Sequence, residues 1–225
     1  VGHAAAPYVS IIVPVRNEEG HISDVLSALQ AQDYPRERVE VIVSDGMSTD
    51  STRHILGRLG RKYPKIAIID NPEGIVPTGL NRAIRQTHGD IIVRIDSHAS
   101  YPSNYVSALV RNLTDLKADN VGGRIETFPY NDSAKAHAIA ASMSNSFGVG
   151  DSHFRIGTTA VREVDTVPFG CFRREVFNKI GLFDEDLVRN QDDEFNARMR
   201  KHGMKVYLVP DVVVTYYARD TFTKL

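Results

Sequence analysis

Several things are scarce in this chain, and each scarcity excludes something. Of its 225 residues one is a cysteine, Cys171, so no internal disulfide can form. That suits a reducing compartment. A lone cysteine beside a phenylalanine reads as a small apolar filler, because free thiols are commonly buried and inert. No apolar run approaches the roughly 18–20 residues that a bilayer span needs. Residues 1–7 have neither the basic flank nor the apolar stretch of a secretion signal, and read as a disordered or appended tail. A basic surplus is missing too: 27 Lys and Arg face 28 Asp and Glu, for a formal net charge of −1. Nucleic-acid binders usually carry such a surplus, so nucleic acid is not an expected partner. There is no Gly-x-x-x-x-Gly-Lys phosphate loop, no His-Glu-x-x-His zinc helix and no Gly-x-Ser-x-Gly elbow. Gly148-Val149-Gly150 lacks the preceding strand and third glycine of a dinucleotide fingerprint.

What is present is the material of a folded α/β domain. Hydrophobic residues make up 42% of the chain and charged residues 24%, enough core for one domain, placed at residues 8–225. Residues 8–15, 39–44, 65–70 and 90–95 are apolar, β-branched runs that predict strands buried on both faces. Between them, Ile22, Val25, Leu26 and Leu29, then Ile55, Leu56 and Leu59, recur at helical spacing. Asp50 or Ser51 can cap the second of these helices. A third helix near residues 78–87 is expected to stop at Gly89 in the left-handed position. Pro102 is expected in the first turn of a fourth, which carries Val106, Leu109, Val110 and Leu113. Alternation of this length predicts a mostly parallel sheet with helices on both faces. Right-handed crossovers then gather the strand C-terminal ends on one ligand-binding edge.

The second half is less regular. Residues 135–147, 172–180 and 192–202 predict helices, the last two ending at Gly181 and Gly203. Residues 148–166 read as a loop long enough to be functional. Residues 206–209 and 212–217 predict two strands parted by Pro210-Asp211.

Chemistry concentrates at the strand ends. The first strand runs into Arg16-Asn17-Glu18-Glu19, the second into Asp45-Gly46-Met47-Ser48-Thr49-Asp50, the fourth into Asp96-Ser97-His98. Turns and caps favour the same residue types, but successive C-terminal ends share an edge and can converge on one ligand. Along an extended backbone residues two apart point the same way, so Asp96 and His98 can face one ion. A carboxylate with an imidazole suits Mn²⁺ or a similar ion and leaves positions for phosphate oxygens. The patch Gln191-Asp192-Asp193-Glu194 opens a helix. Acidic residues favour that position through the helix dipole, and one there can also serve as a general base.

Val9-Ser10-Ile11-Ile12-Val13-Pro14-Val15-Arg16-Asn17-Glu18 resembles the opening of the family 2 glycosyltransferases, which have the GT-A fold (Rossmann-like, a nucleotide-diphospho-sugar transferase fold). Val43-Ser44-Asp45-Gly46-Met47-Ser48-Thr49-Asp50 resembles that family's second motif, with Ser44 in place of its usual first Asp. Asp96-Ser97-His98 sits where the family carries its Asp-x-Asp metal motif. Phe169-Gly170-Cys171-Phe172-Arg173-Arg174-Glu175 resembles the segment before the acceptor side. Gln191-Asp192-Asp193-Glu194-Phe195-Asn196-Ala197-Arg198 resembles the base motif, with Gln191 replacing its Glu. The motifs stand in order over roughly residues 8–217, and within the family the chain resembles the enzymes of succinoglycan-type exopolysaccharide synthesis.

The resemblance implies an inverting hexosyltransferase dependent on Mn²⁺ or Mg²⁺, using a UDP-sugar donor and a saccharide or lipid-linked saccharide acceptor. It implies nucleotide contacts from Pro14, Asn17, Glu18, Asp45, Asn81 and Asp96, with Asp45 on the nucleobase. Asp96 and His98 become metal ligands and Asp192 the base, in competition with Asp193 and Glu194. Gly170, Arg173, Gln191 and Asp193 fall on the acceptor side. Arg173 and Arg174 either reach a phosphate or the acceptor or form a solvated face. Two rivals stay open: a nucleotidyltransferase, poorly served by Arg16-Asn17-Glu18-Glu19-Gly20, and a nucleotide-sugar-binding domain without turnover. Residues 220–225 read as the start of an amphipathic helix. The natural protein is therefore expected to continue past Leu225 into membrane-associated segments, with its catalytic domain at the cytoplasmic face of the cell membrane.

Overall fold

Alternating burial decides the first half. A computed structural model of the chain describes residues 5–129, 131–142, 153–156 and 158–218. The four expected strands form as β1 (Val9–Val15), β2 (Val39–Asp45), β3 (Ile66–Asp70) and β4 (Ile91–Arg94), all parallel, in the order β3-β2-β1-β4. Odd-numbered β1 residues Val9, Ile11, Val13 and Val15 pack into one core with the first two helices, α1 (Ile22–Gln30) and α2 (Thr52–Lys62). Ile12 packs on the opposite face with Leu80, Ala83 and Ile84 of α3 (Val76–Gln86). This period-2 division is why the strands read as continuously apolar: helices cover both faces. Only β3 departs, since it is the edge strand and buries Ile66 alone.

The short β5 (Ala99–Ser100) leads to α4 (Tyr105–Asp115), which joins the α1 and α2 side through Val106, Leu109, Val110 and Leu113. Pro102 is not in its first turn. The helix begins three residues later, and the Pro102 carbonyl accepts from Tyr105 N–H at 3.0 Å and from Gln32 Nε2 at 2.8 Å. Gly89 is not left-handed either; a Cβ there would lie 2.6 Å from the Ser10 nitrogen, so the position is glycine for close approach. Gly181 and Gly203 do end helices with positive φ, 82° and 72°.

The second half holds more strand than its pattern shows. It comprises β6 (Asn120–Pro129), α5 (Ala134–Ser142), α6 (His153–Ile156), β7 (Arg162–Glu163), β8 (Cys171–Arg173), α7 (Arg174–Ile180), α8 (Gln191–Lys201) and β9 (Val206–Ala218). The stretch 172–180, expected to be all helix, is thus strand and then helix. β8 inserts antiparallel between β4 and β6, and the sheet continues β8-β6-β9-β5, with β7 on β9. The two strands expected around Pro210 are one. Gly123 pairs with Val209 and the next residue, Arg124, with Val213, so Pro210, which lacks an N–H, sits in a bulge. Gly122 and Gly123 weaken the sequence signal of β6 because the fold needs them bare. A Cβ on either would fall 2.5 Å from Val167 or from the Val212 carbonyl.

Residues 1–4 of the expected tail, residues 143–147 of the expected small-residue helix, 148–152 and 157 of the expected loop, and 220–225 of the expected terminal helix lie outside the described residues. No helix among the described residues is long and apolar enough to cross a membrane.

The same change at two glycines separates these roles. Gly57 lies inside α2 with nothing within 4 Å of a built Cβ, whereas Gly89 faces backbone. Gly57→Ala is expected to stabilise by about 0.5–1 kcal/mol. Gly89→Ala should destabilise by about 1–3 kcal/mol through overpacking. Urea midpoints of the two variants check both signs.

Candidate active site

Level register sets the edge. Val15 pairs with Asp45, and Asp45 with Asp70, so three strands end side by side, while β4 ends three residues short of Val15 at Arg94, opposite Ile12. The turns that follow are stitched together. Asn17, at a φ of 55° that asparagine tolerates, donates its N–H to Ser48 Oγ at 2.8 Å and accepts from Thr49 N–H at 2.8 Å. Glu18 N–H donates to Thr52 Oγ1 at 2.8 Å, and Glu19 accepts from Ser51 N–H at 2.9 Å. Asp45 is 1% exposed and accepts from Ser48 Oγ at 2.5 Å and from Arg53 Nη1 at 2.6 Å. Arg53 continues to Asp70 at 2.8 Å.

Asn17 and Asp45, expected to touch the nucleotide, also hold together the loops that carry the cleft. Pro14, Glu18, Asp96 and His98 line it, together with Arg16, Gly46, Asn71 and Gly74. Arg16 donates to the Gly74 carbonyl at 2.9 Å and closes one wall. Asn71 and Gly74 were legible in principle, since Asn71-Pro72-Glu73-Gly74 is the same kind of polar run after a strand as the other three.

Asp96 and His98 do meet, but across a turn that follows β4 and not along an extended strand. Asp96 Oδ1 lies 2.7 Å from His98 Nδ1, and Glu18 Oε1 lies 3.7 Å from that nitrogen. Tyr216 of β9 contacts His98 Nε2 at 3.0 Å, and Tyr101 accepts from the Asp96 N–H at 2.8 Å, so outside partners orient both residues. Burial works against ionising Asp96, but facing His98 and nearby Arg94 outweigh it and hold its carboxyl below the usual range. A carboxylate oxygen and an imidazole nitrogen this close fit adjacent ligands of one ion, which lie about 3 Å apart when each bond is near 2.1 Å. Among the described residues no group of three His, Cys, Asp or Glu side chains could hold an ion. An ion here would take its other ligands from substrate or water.

A second cavity opens on the far side of Asp96, lined by Asp192, Asp193, Gln191, Asn190, Thr166, Arg155, Phe154, Phe169 and Tyr216 among others. The three acidic neighbours at the head of α8 are sorted by their partners. Glu194 pairs with Arg198 at 2.8 Å, and exposed Asp193 accepts from Thr166 Oγ1 at 2.9 Å. Asp192 alone reaches back to Arg94, with which it forms an ion pair. Burial pushes the Asp192 carboxyl above its usual range; Arg94 opposes this, and Asp193 and Asp96 add to it.

Three expected contacts, and Arg174, whose role the sequence left open, lie elsewhere. Asn81 is 1% exposed and clamps α3 to the segment before α8, donating to the Phe183 carbonyl at 2.8 Å and accepting from Phe183 N–H at 3.0 Å. Gly170 is buried, and a Cβ there would lie 2.4 Å from Asn120 Oδ1. Arg173, opposite Ile91 at the far end of β4, donates to the carbonyls of Ala118 and Leu113. Arg174 binds Thr87 Oγ1 at 2.9 Å. These are packing and capping roles, set by contacts that no linear pattern displays. Cys171 is buried, and burial pushes its thiol well up, as a filler requires.

A parallel sheet whose C-terminal edge carries an Asp–His pair between two cavities, continued by an antiparallel half, defines an α/β domain of the GT-A glycosyltransferase class. Residues 10–181 match Glycosyl transferase family 2, and the chain belongs to that family. It is 31% identical over 217 residues to succinoglycan biosynthesis protein ExoA of Rhizobium meliloti, covering 96% of this chain and 64% of ExoA. It is 29% identical over 225 residues, 96% of this chain and 69% of the relative, to a dolichyl N-acetyl-alpha-D-glucosaminyl phosphate 3-beta-D-2,3-diacetamido-2,3-dideoxy-beta-D-glucuronosyltransferase of Methanococcus voltae. Among solved structures it resembles mannosyltransferase PcManGT of Pyrobaculum calidifontis in complex with GDP-Man and Mn²⁺. That match has a TM-score of 0.73 at 25% identity and covers 95% of this chain and 57% of that one. The chain thus spans somewhat under two thirds of ExoA and rather more than half of PcManGT.

Arg53 shows whether Asp45 holds the loops. Removing it strips the cation from a 1% exposed carboxylate. Arg53→Met is expected to cost about 1–3 kcal/mol in urea unfolding, whereas a purely solvated arginine would cost almost nothing.

Proposed function

We propose that this chain is the catalytic domain of an inverting, metal-dependent glycosyltransferase. It moves a hexose from a UDP-sugar to a saccharide acceptor, lipid-linked in the natural reaction, during polysaccharide synthesis at the cytoplasmic face of the membrane. The observation that carries this reading is that Asp96 lines two adjoining cavities, one holding His98 and the other Asp192. The first is also lined by Arg16, Glu18 and Asn71, and the second by Arg155, Gln191 and Asp193; the reading places the donor in the first and the acceptor in the second. Family membership and the likeness to ExoA support the polysaccharide role. PcManGT, with its GDP-Man and Mn²⁺, supports a metal and a nucleotide sugar.

Asp96 and His98 would hold the ion, whose charge, when bound, offsets that of the departing nucleoside diphosphate. Everything else falls to side chains of the chain. Glu18, Arg16 and Asn71 line the donor cavity and bind the nucleotide. Asp192 takes the proton of the acceptor hydroxyl as that oxygen attacks the anomeric carbon. The attack comes from the face opposite the nucleotide, so the configuration inverts. A raised carboxyl pKa makes Asp192 a better base and also keeps it protonated to higher pH than an ordinary aspartate. Turnover should therefore decline in acid at a pH above the usual aspartate range. Phe154, Phe169 and Tyr216 line the second cavity, with Arg155 over the rings of Phe154 and Tyr216 and Arg94 over that of Phe169.

Two measurements test the reading. UDP should bind with an affinity that depends on Mn²⁺ and compete better than GDP, and Asp96→Ala should abolish the metal dependence. Calorimetry showing the same UDP affinity with Mn²⁺, with chelator and in the variant would refute the metal site. Asp192→Asn should lower turnover by about 10²–10⁴ while keeping metal-dependent UDP binding. Asp193→Asn, whose carboxylate serves Thr166, should be mild. Release of UDP by Asp192→Asn at the wild-type rate would remove Asp192 as the base.

A further inference from the structure

One side chain of the first cavity reaches a residue of the second. Arg94 is the last residue of β4, two before Asp96, and its side chain is 5% exposed. Its backbone is fixed by an N–H bond to the Gly170 carbonyl at 3.0 Å. Its guanidinium lies over the Phe169 ring, 5.7 Å from the centroid, and Nη1 donates to Asp192 Oδ1. Arg94 lines the donor cavity, while Asp192 lines the acceptor cavity. Among the described residues Asp192 makes no other ion pair, and its Oδ2 accepts no hydrogen bond. Stability alone does not account for the arrangement. Replacing a buried ion pair with apolar groups is often neutral or stabilising, and this arginine leaves its Nε buried without a partner.

We infer that Arg94 is the positioning residue for Asp192: it anchors Oδ1 and leaves Oδ2 as the atom that receives the acceptor proton. The inference rests on reading Asp192 as the base. In the step, the acceptor O–H bond breaks and its proton goes to Oδ2. The acceptor oxygen bonds to the anomeric carbon, and the bond from that carbon to the diphosphate oxygen breaks, its electron pair leaving with UDP. Anchoring one oxygen on a rigid central strand cuts the rotamer freedom of Asp192, which a helix N-terminus alone does not restrict. It also ties the base to the strand that carries Asp96, so the two centres keep their separation.

The experiment uses the UDP-hexose that the wild type turns over fastest, from UDP-glucose, UDP-galactose and UDP-N-acetylglucosamine, with Mn²⁺ and release of UDP as readout. Arg94→Met is expected to lower kcat by about 10²-fold or more, with donor KM and Mn²⁺-dependent UDP affinity held within about threefold. Arg94→Lys should recover part of the loss. Arg94→Met combined with Asp192→Asn should be no slower than Asp192→Asn alone, because the two residues act as a unit. An Arg94→Met enzyme with raised donor KM and unchanged kcat, or a double variant whose losses multiply, would overturn the inference. If circular dichroism shows Arg94→Met unfolded, Arg94→Lys decides: about a tenfold fall in kcat at unchanged UDP affinity supports positioning, and a wild-type kcat overturns it. Asp192→Asn at the wild-type rate would remove the base reading itself, and the inference with it. An inactive Asp192→Asn beside a fully active Arg94→Met would remove only this inference.

Discussion

The parallel register of β1, β2 and β4 is the constraint on which the other features depend. Parallel neighbours cannot be joined by a tight turn, so each strand must send its chain back through a helix. The turns leaving the strands then all lie at one end. Because Val15, Asp45 and Asp70 end level, those turns are close enough for Asn17 to bond Ser48 and Thr49 and for Arg53 to bridge Asp45 and Asp70. A slip of one residue would exchange the two packed faces of β1 and break these links together.

The antiparallel half brings the second set of chemical groups to the same edge. β8 crosses between β4 and β6, and the chain beyond it packs through four phenylalanines, Phe172, Phe177, Phe183 and Phe195, with ring centroids 4.4–6.4 Å apart. Such pairs contribute about 0.5–1.5 kcal/mol each beyond burial. A buried bond from Asn120 Nδ2 to Asn196 Oδ1, 2.8 Å long, ties α8 to β6. These contacts carry no charge, yet they set the position of Asp192. The head of α8 arrives beside Arg94 because its body is locked against β8 and β6.

Buried charge at the meeting of the two cavities follows from this packing. Burying most of Arg94 and Asp192 is costly, and their mutual contact, with the Phe169 ring beneath Arg94, offsets part of it. The groups around them are also charged: Asp96 on one side, Asp193 on the other, with Arg155 stacked against Phe154 and Tyr216 in the same cavity. Fields in such a site are stronger than in water.

The sequence alone determined the α/β class, the parallel first half, the caps at Gly181 and Gly203, and the Asp96–His98 pair. Each rests on short-range chemistry: a two-residue alternation, a helical repeat, a backbone angle, or two side chains close in sequence. Asp192 was legible as one acidic residue among three neighbours. Only the tertiary structure separated it from Asp193 and Glu194, by giving each a different partner. It also decided what no linear pattern holds. Gly89, Gly122, Gly123 and Gly170 are glycine because distant backbone or side chains press on them. Asn81, Asp45 and Arg173 are engaged inside the protein. Arg94, unremarkable in an apolar run, reaches a residue of the second cavity, a partner that lies 98 residues further along the chain. Contacts at that separation depend on how the sheet and α8 pack, and packing is a property of the whole chain.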